Sequence, residues 1–281
     1  MNDPVHLEPL LRAALAEDLG SGDVTSELFV PPDAAGTARI VAKAAGVIAG
    51  TGVAGLVFRL AATSEPPRVS VERRDGDTVQ RGDVVLTAEG RARDLLAAER
   101  TALNFLIRLG GVATLTAKFV AAVAGTGASI LDTRKTTPGW RELEKAAVVA
   151  GGGVNHRFGL YDAVLVKENH LAFGMSWADA LARRPAGMPA IVEAENLDEF
   201  RRAMRAGADV VMLDEFSLDD VRTARAERKN ATRPLLEVSG GVSLDTVRDY
   251  AEAGAERISI GALTHSAPSL DLSMRVSPRS S

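Results

Sequence analysis

The chain contains no cysteine. Disulfides, thiolate metal sites and a cysteine nucleophile are therefore excluded. Aromatic residues make up only 4% of it, so within a hydrophobic content of 46% the core has to be built from Ala, Val, Leu and Ile. No uninterrupted apolar run reaches the length of a membrane span. The opening Met1-Asn-Asp-Pro-Val-His6 has neither the basic start nor the apolar stretch of a secretory signal. These absences give the expectation of a cytoplasmic, soluble protein with no membrane partner. Excess positive charge is missing too. A formal charge of −4 and a pI near 5.7 argue against nucleic acid as a partner, so any recognition of anions has to be local. Zinc-protease spacing, a Gly-x-Ser-x-Gly elbow, a Walker loop and a dinucleotide glycine fingerprint are all absent.

What is present fits one large α/β barrel or two domains, given 281 residues. Leu7 to Leu19 has helical spacing, broken by Gly20-Ser-Gly-Asp23. Thr37–Lys43, Val69–Glu72 and Asp83–Ala88 read as strands, with Gly76-Asp77 and Gly82-Asp83 as turns, which makes a small β-rich unit. From Arg93 an apolar stripe of Leu95, Leu96, Leu103, Leu106 and Ile107 predicts a helix, and Thr114 to Val123 a second one. After Gly127 the texture becomes strand–helix alternation. Apolar runs at Ser129–Asp132, Ala163–Val166, Ala190–Glu193, Val210–Asp214, Leu235–Ser239 and Arg257–Gly261 alternate with helical patterns such as Leu197–Ala206 and Ser243–Ala253. Near-continuous apolar strands between helices indicate a parallel sheet covered on both faces.

The C-terminal ends of those runs carry the polar residues: Asp132, Arg134, Lys135, Lys167, Glu193, Asp214, Ser239 and Ser259. Strand ends converge on one mouth in a barrel, whereas few of them reach the crevice of an open sheet, so this pattern favours a barrel. Ser239-Gly240-Gly241, before a helix expected near Ser243, and Ser259-Ile260-Gly261 form paired glycine turns of the kind that cradle phosphate. Glu193 and Asp214 could hold a ribose diol, coordinate Mg²⁺ through water or steady a developing positive charge; equally, they could neutralise Lys135 or Lys167. Asp132 precedes two cations and is read as orienting them. Of the four histidines, His156 stands out beside Arg157 after Gly151-Gly-Gly153. His170 fits a loop cap as well as a functional group, His265 reads as structural and His6 as surface. Unpaired cations are expensive to bury, so Arg134, Lys135, His156, Arg157 and Lys167 together point to a multiply charged anionic ligand.

Glu99-Arg-Thr-Ala-Leu-Asn104, Asp132-Thr-Arg-Lys-Thr-Thr-Pro-Gly139, Gly151-Gly-Gly-Val-Asn-His-Arg157, Lys167-Glu-Asn-His170 and Gly261-Ala-Leu-Thr-His-Ser266 resemble the motifs of the quinolinate phosphoribosyltransferase family. The likeness runs from Ala14 to Ser273. It implies an N-terminal α/β sandwich over residues 1–112, joined by 268–281, and an incomplete β/α barrel over residues 113–267. It also implies a homodimer in which one subunit's N-terminal domain closes the other's barrel mouth, with higher homo-oligomers left open.

On that resemblance Arg100 reaches the neighbouring subunit's site. Arg134, His156, Arg157 and Lys167 line a quinolinate pocket, Thr133 is a further substrate contact, and Lys135 and Lys167 meet phosphoribosyl pyrophosphate. Glu193 and Asp214 hold the ribose hydroxyls and the Mg²⁺ environment. Ser239, Gly240, Gly241, Ser259, Ile260 and Gly261 cradle the 5-phosphate. Lys135, Lys167, Glu193 and Asp214 form the implied catalytic set. The chain departs from the family pattern at Gly110, Ala146, Val149, Glu168 and Glu215, where serine, tyrosine, arginine, aspartate and asparagine are common. Two other readings are a homologous transferase associated with molybdenum transport and a catalytically silent anion-binding barrel. The Asn155-His-Arg157 and Lys167-Glu-Asn-His170 motifs disfavour the first. Retained carboxylates disfavour the second.

Overall fold

Along Ala35–Ala42 (β1), buried positions alternate with more exposed ones, the period of a strand with one face on a core. It joins Arg68–Val71 (β3), Val84–Arg91 (β5) and Leu272–Pro278 (β12) in an antiparallel sheet of order β12-β1-β5-β3. Gly46–Val47 (β2) pairs with Thr78–Val79 (β4) in a separate ladder, reached through Gly76 and Gly82 at φ 95° and 99°. The computed structural model describes residues 4–167, 170, 174–229 and 232–279. It divides into two compact units: Met1–Leu115 with Val149–Gly152 and Ala267–Ser281, and Thr116–Val148 with Gly153–Ser266.

Three helical features of the first unit go beyond the sequence reading. Val24–Phe29 is a short helix whose N-cap, Asp23, accepts from Ser26 N at 3.0 Å. Thr51–Leu60 is a buried helix despite its two glycines. The two helices expected after Arg93 are one, Ala92–Ala122, and Gly110-Gly111 do not interrupt it. Those glycines serve close packing, since a Cβ on Gly111 would lie 2.2 Å from Pro268 O and one on Gly110 2.9 Å from Leu270 Cδ2. A serine at position 110 would have to displace the end of the Leu270 side chain. By length and composition the helix could cross a membrane, yet half of its most apolar window is buried within the fold.

In the second unit Ser129–Leu131 (β6), Val164–Val166 (β7), Ala190–Ala194 (β8), Val210–Asp214 (β9), Leu235–Ser239 (β10) and Arg257–Ser259 (β11) form one parallel sheet of order β6-β11-β10-β9-β8-β7. Because the first strand pairs with the last, the sheet curls on itself, and the break in the barrel falls between β6 and β7. A single bridge from Leu131 to Val154 occupies part of that break. Helix starts here are written locally. Ser176, Asn196 and Ser217 cap helices at Trp177, Leu197 and Leu218, each accepting from an acidic residue's N–H three positions on.

Candidate active site

Side chains two apart on a strand share a face, and register stacks them into layers. Ile191, Val210 and Leu235 align across β8, β9 and β10, and with Leu165 they form an apolar floor. The next layer up aligns Glu193, Met212, Glu237 and Arg257. The uppermost holds Asp214 and Ser239, with Ser259 the residue after the last β10–β11 pair. Polarity therefore rises along the strands toward their C-terminal ends.

A cavity of 610 Å³ opens there, lined by Thr133, Arg134, Lys135, His156, Arg157, Leu165, Lys167, Met212, Asp214, Ser239–Val242, Ser259–Ala262 and His265. The structure thus gathers every strand-end and glycine-turn residue predicted for the mouth except Asp132 and Glu193 into one lining. Glu193 joins through Lys167, whose Nζ it binds. Arg100 stands on an exposed turn of the long helix in the first unit and is not part of this lining. His265, expected to be structural, lines the cavity, and its sequence signal was the glycine turn just before it. His170 does cap its loop, accepting from Lys167 N at 3.0 Å through Nδ1. His6 is exposed. Position 168 lies outside the described residues.

The cations are crowded. Arg157 lies partly buried, and burial, then the like charge of Arg134, push its guanidinium below the ordinary value. Among the described residues neither Arg134 nor Lys135 forms a carboxylate pair. An anion entering the cavity would relieve this repulsion.

Beneath the cavity lies a buried charged network that sequence reasoning missed. Asp132 does not orient Arg134 and Lys135. It is fully buried, binds Lys145 Nζ, and accepts from His156 N at 2.9 Å. Lys145, equally buried, also donates to His156 O at 2.9 Å and sits 5.0 Å from the Phe158 ring centroid. With its amide turned to match its neighbours, Asn155 donates to Asp132 Oδ2 at 2.5 Å and Lys145 O at 3.0 Å. Burial pushes the Asp132 carboxyl up and the Lys145 ammonium down, and their mutual contact opposes both shifts. The pair thereby fixes the loop that presents His156 and Arg157.

His156 Nδ1 accepts from Arg157 N at 2.7 Å, which puts the proton of a neutral ring on Nε2. Nε2 lies 3.1 Å from Oε1 of Glu237, close but not aligned for a hydrogen bond. Glu237 also accepts from Arg257 Nε at 2.7 Å. Burial pushes the Glu237 carboxyl up, yet His156 and Arg257 together hold it below the usual carboxylate range.

The glycine turns differ from expectation in one respect. The continuous helix after Gly240-Gly241 runs from Val247, although a first hydrogen-bonded turn opens at Ser243, whose O accepts from Val247 N at 2.9 Å. Left-handed backbone at Gly240 and Gly241 (φ 90° and 58°) shapes the glycine turn itself. A Cβ on Gly240 would lie 2.7 Å from Glu215 Cγ, and one on Gly261 3.0 Å from Lys135 Cδ. Glu215 turns into the neighbouring groove with Asn196 and Asp198 and leaves Asp214 alone at the cavity. Val149 is exposed and Ala146 half-buried.

Known proteins resemble this chain over nearly its full length. Family models described as quinolinate phosphoribosyl transferase, N-terminal and C-terminal domain, match residues 23–109 and 112–275. Nicotinate-nucleotide pyrophosphorylase (carboxylating) of Mycobacterium leprae is 42% identical over 270 residues, covering 94% of this chain and 95% of the relative. A probable enzyme of the same name from Bacillus subtilis is 41% identical over 276 residues, or 97% of this chain and 94% of that one. The structure of NadC from Streptococcus pyogenes superposes with a TM-score of 0.92 at 38% identity, covering 99% of this chain and 98% of that one.

Proposed function

Because the chain belongs to the quinolinate phosphoribosyl transferase family, we propose that it transfers the phosphoribosyl group of phosphoribosyl pyrophosphate to quinolinate. The products are nicotinate mononucleotide, pyrophosphate and CO₂, a step of NAD biosynthesis. The observation that carries this reading is the convergence of Arg134, Lys135, His156, Arg157 and Lys167 on a cavity that also holds Asp214 and both glycine turns.

Each layer has a task. Arg134, Arg157 and Lys167, near Thr133 and His156, receive the two carboxylates of the acceptor. Ser239-Gly240-Gly241 and Ser259-Ile260-Gly261 take the 5-phosphate. Asp214 and Glu193 bind the ribose hydroxyls. The pyridine nitrogen attacks the anomeric carbon as the carbon–oxygen bond to pyrophosphate breaks, and positive charge on the ribose is steadied by the two carboxylates. Lys135 neutralises the departing pyrophosphate. The N-alkylated ring then accepts the electron pair of the adjacent carbon–carboxylate bond, CO₂ leaves, and a proton takes its place. No protein nucleophile is required, and positioning two polyanions supplies much of the rate.

Mg²⁺ belongs to this reading. Asp214 lines the cavity and Glu193 reaches it through Lys167, a donor set that fits an ion held by one or two carboxylates, waters and substrate phosphates. Asp214 would hold it, with Glu193 behind, and there it would supply charge neutralisation for pyrophosphate. A cytoplasmic location is part of the proposal, since polyanionic substrates do not cross a bilayer unaided.

Incubating the pure protein with both substrates and Mg²⁺ should release CO₂ and pyrophosphate in equal amounts; release of neither ends the proposal. The reading includes a homodimer with Arg100 acting across the interface. Mixed Arg100→Ala and Lys135→Ala subunits should then recover about a quarter of wild-type activity, because half of the dimers are hybrids with one intact site each. A mixture no more active than its parents would place Arg100 elsewhere.

A further inference from the structure

The first unit carries a second cationic cavity, of 580 Å³, on the open face of its antiparallel sheet. Arg39, Lys43, Arg81 and Arg275 line it, with Val41, Val276, Ser273 and Ser277 between them. Arg39 on β1 and Arg275 on β12 are directly opposite in register. Like charges in that arrangement repel and destabilise a sheet. Asp83 is engaged by Arg73 at 3.7 Å and Glu89 by Arg279 at 3.4 Å. Among the described residues none of the four lining cations has a carboxylate partner. A chain of formal charge −4 thus concentrates four unpaired positive charges in one concave patch.

We propose that this cleft binds a compact polyanion of the phosphate class, separate from the candidate active site. Three guanidinium groups offer forked donors to phosphate oxygens, and the charge suits a pyrophosphate-like anion better than a monocarboxylate. Strand positions fix Arg39 and Arg275, so the site is set by the sheet rather than by mobile loops.

Titration of the full chain with inorganic pyrophosphate should reveal two binding events. An Arg39→Ala/Arg275→Ala variant should lose one, weakened by about tenfold or more, and Lys135→Ala should weaken the other. Without pyrophosphate the double variant should keep wild-type kcat and KM. Unchanged binding in the double variant would overturn the site, whatever becomes of the proposed activity. An independent check is Arg275→Glu, which turns the opposed pair into an attractive one. It should raise Tm on the order of 2–4 °C in phosphate-free buffer and abolish the same binding event. No rise in Tm would show that the pair is harmlessly solvated, which defeats the argument. Arg39-dependent self-association in place of pyrophosphate binding would likewise defeat it, by making the face a contact between copies.

Discussion

Replacing Lys135 with alanine should lower turnover by about 10²–10³-fold while leaving the thermal midpoint within a degree or so of wild type. Both halves of this expectation follow from the side chain's surroundings. Lys135 is exposed, and its ammonium has no carboxylate partner among the described residues. Its structural ties run through the main chain: N donates to Thr133 Oγ1 at 3.0 Å, and O accepts from Thr264 Oγ1 at 2.7 Å. Alanine keeps both bonds. What alanine removes is a point charge on the cavity wall, which the proposed reaction sets against the charge developing on pyrophosphate. Steady-state kinetics with both substrates, alongside a thermal melt, test the two halves separately. Near-normal kcat would remove Lys135 from the chemistry. A large drop in Tm would make its role structural.

The second large effect concerns stability. Lys145→Met should destabilise the fold by about 3–5 kcal/mol, because Asp132 would keep a buried charge with no counter-ion. For a unit of this size that corresponds to a fall in Tm on the order of 10 °C. The damage should reach function as well, since the same pair holds the backbone at His156, the residue before Arg157. Adding Asp132→Asn to Lys145→Met should restore much of the lost stability, because the uncompensated charge is then gone. It should not restore substrate affinity, because the ammonium that bound His156 O is still missing. If Lys145→Met melts with wild type, the buried pair contributes nothing and the loop is held by other contacts.

Much of the fold was legible because its signals are local. Six apolar runs separated by helical patterns predicted the parallel sheet, and strand ends bearing Lys167, Glu193, Asp214, Ser239 and Ser259 predicted a mouth. Strand alternation and the Ser-x-x-Asp starts are written within a few residues of where they act. The buried network was not legible. Lys145 sits in Glu142-Leu-Glu-Lys-Ala, which reads as an ordinary solvated helix face. Glu237 interrupts an apolar run with no sign of what it would meet. The helical patterns from Arg93 and from Thr114 were read as two helices, because the chain that packs on Gly110-Gly111 between them, Pro268–Leu270, is distant in sequence.

The amino-acid order by itself determined the strand–helix alternation, the family motifs and the set of cations available for anions, since each depends on near neighbours or on residue type alone. Only the tertiary structure decided which of those charges face a cavity and which neutralise one another. Asp132 meets Lys145 thirteen residues away, and Glu237 meets Arg257 twenty away. Such pairings exist only once the chain has crossed the sheet and set its register. Strand β9 also ends at Asp214, which lines the cavity, while Glu215 has left-handed backbone (φ 55°) and lines the neighbouring groove.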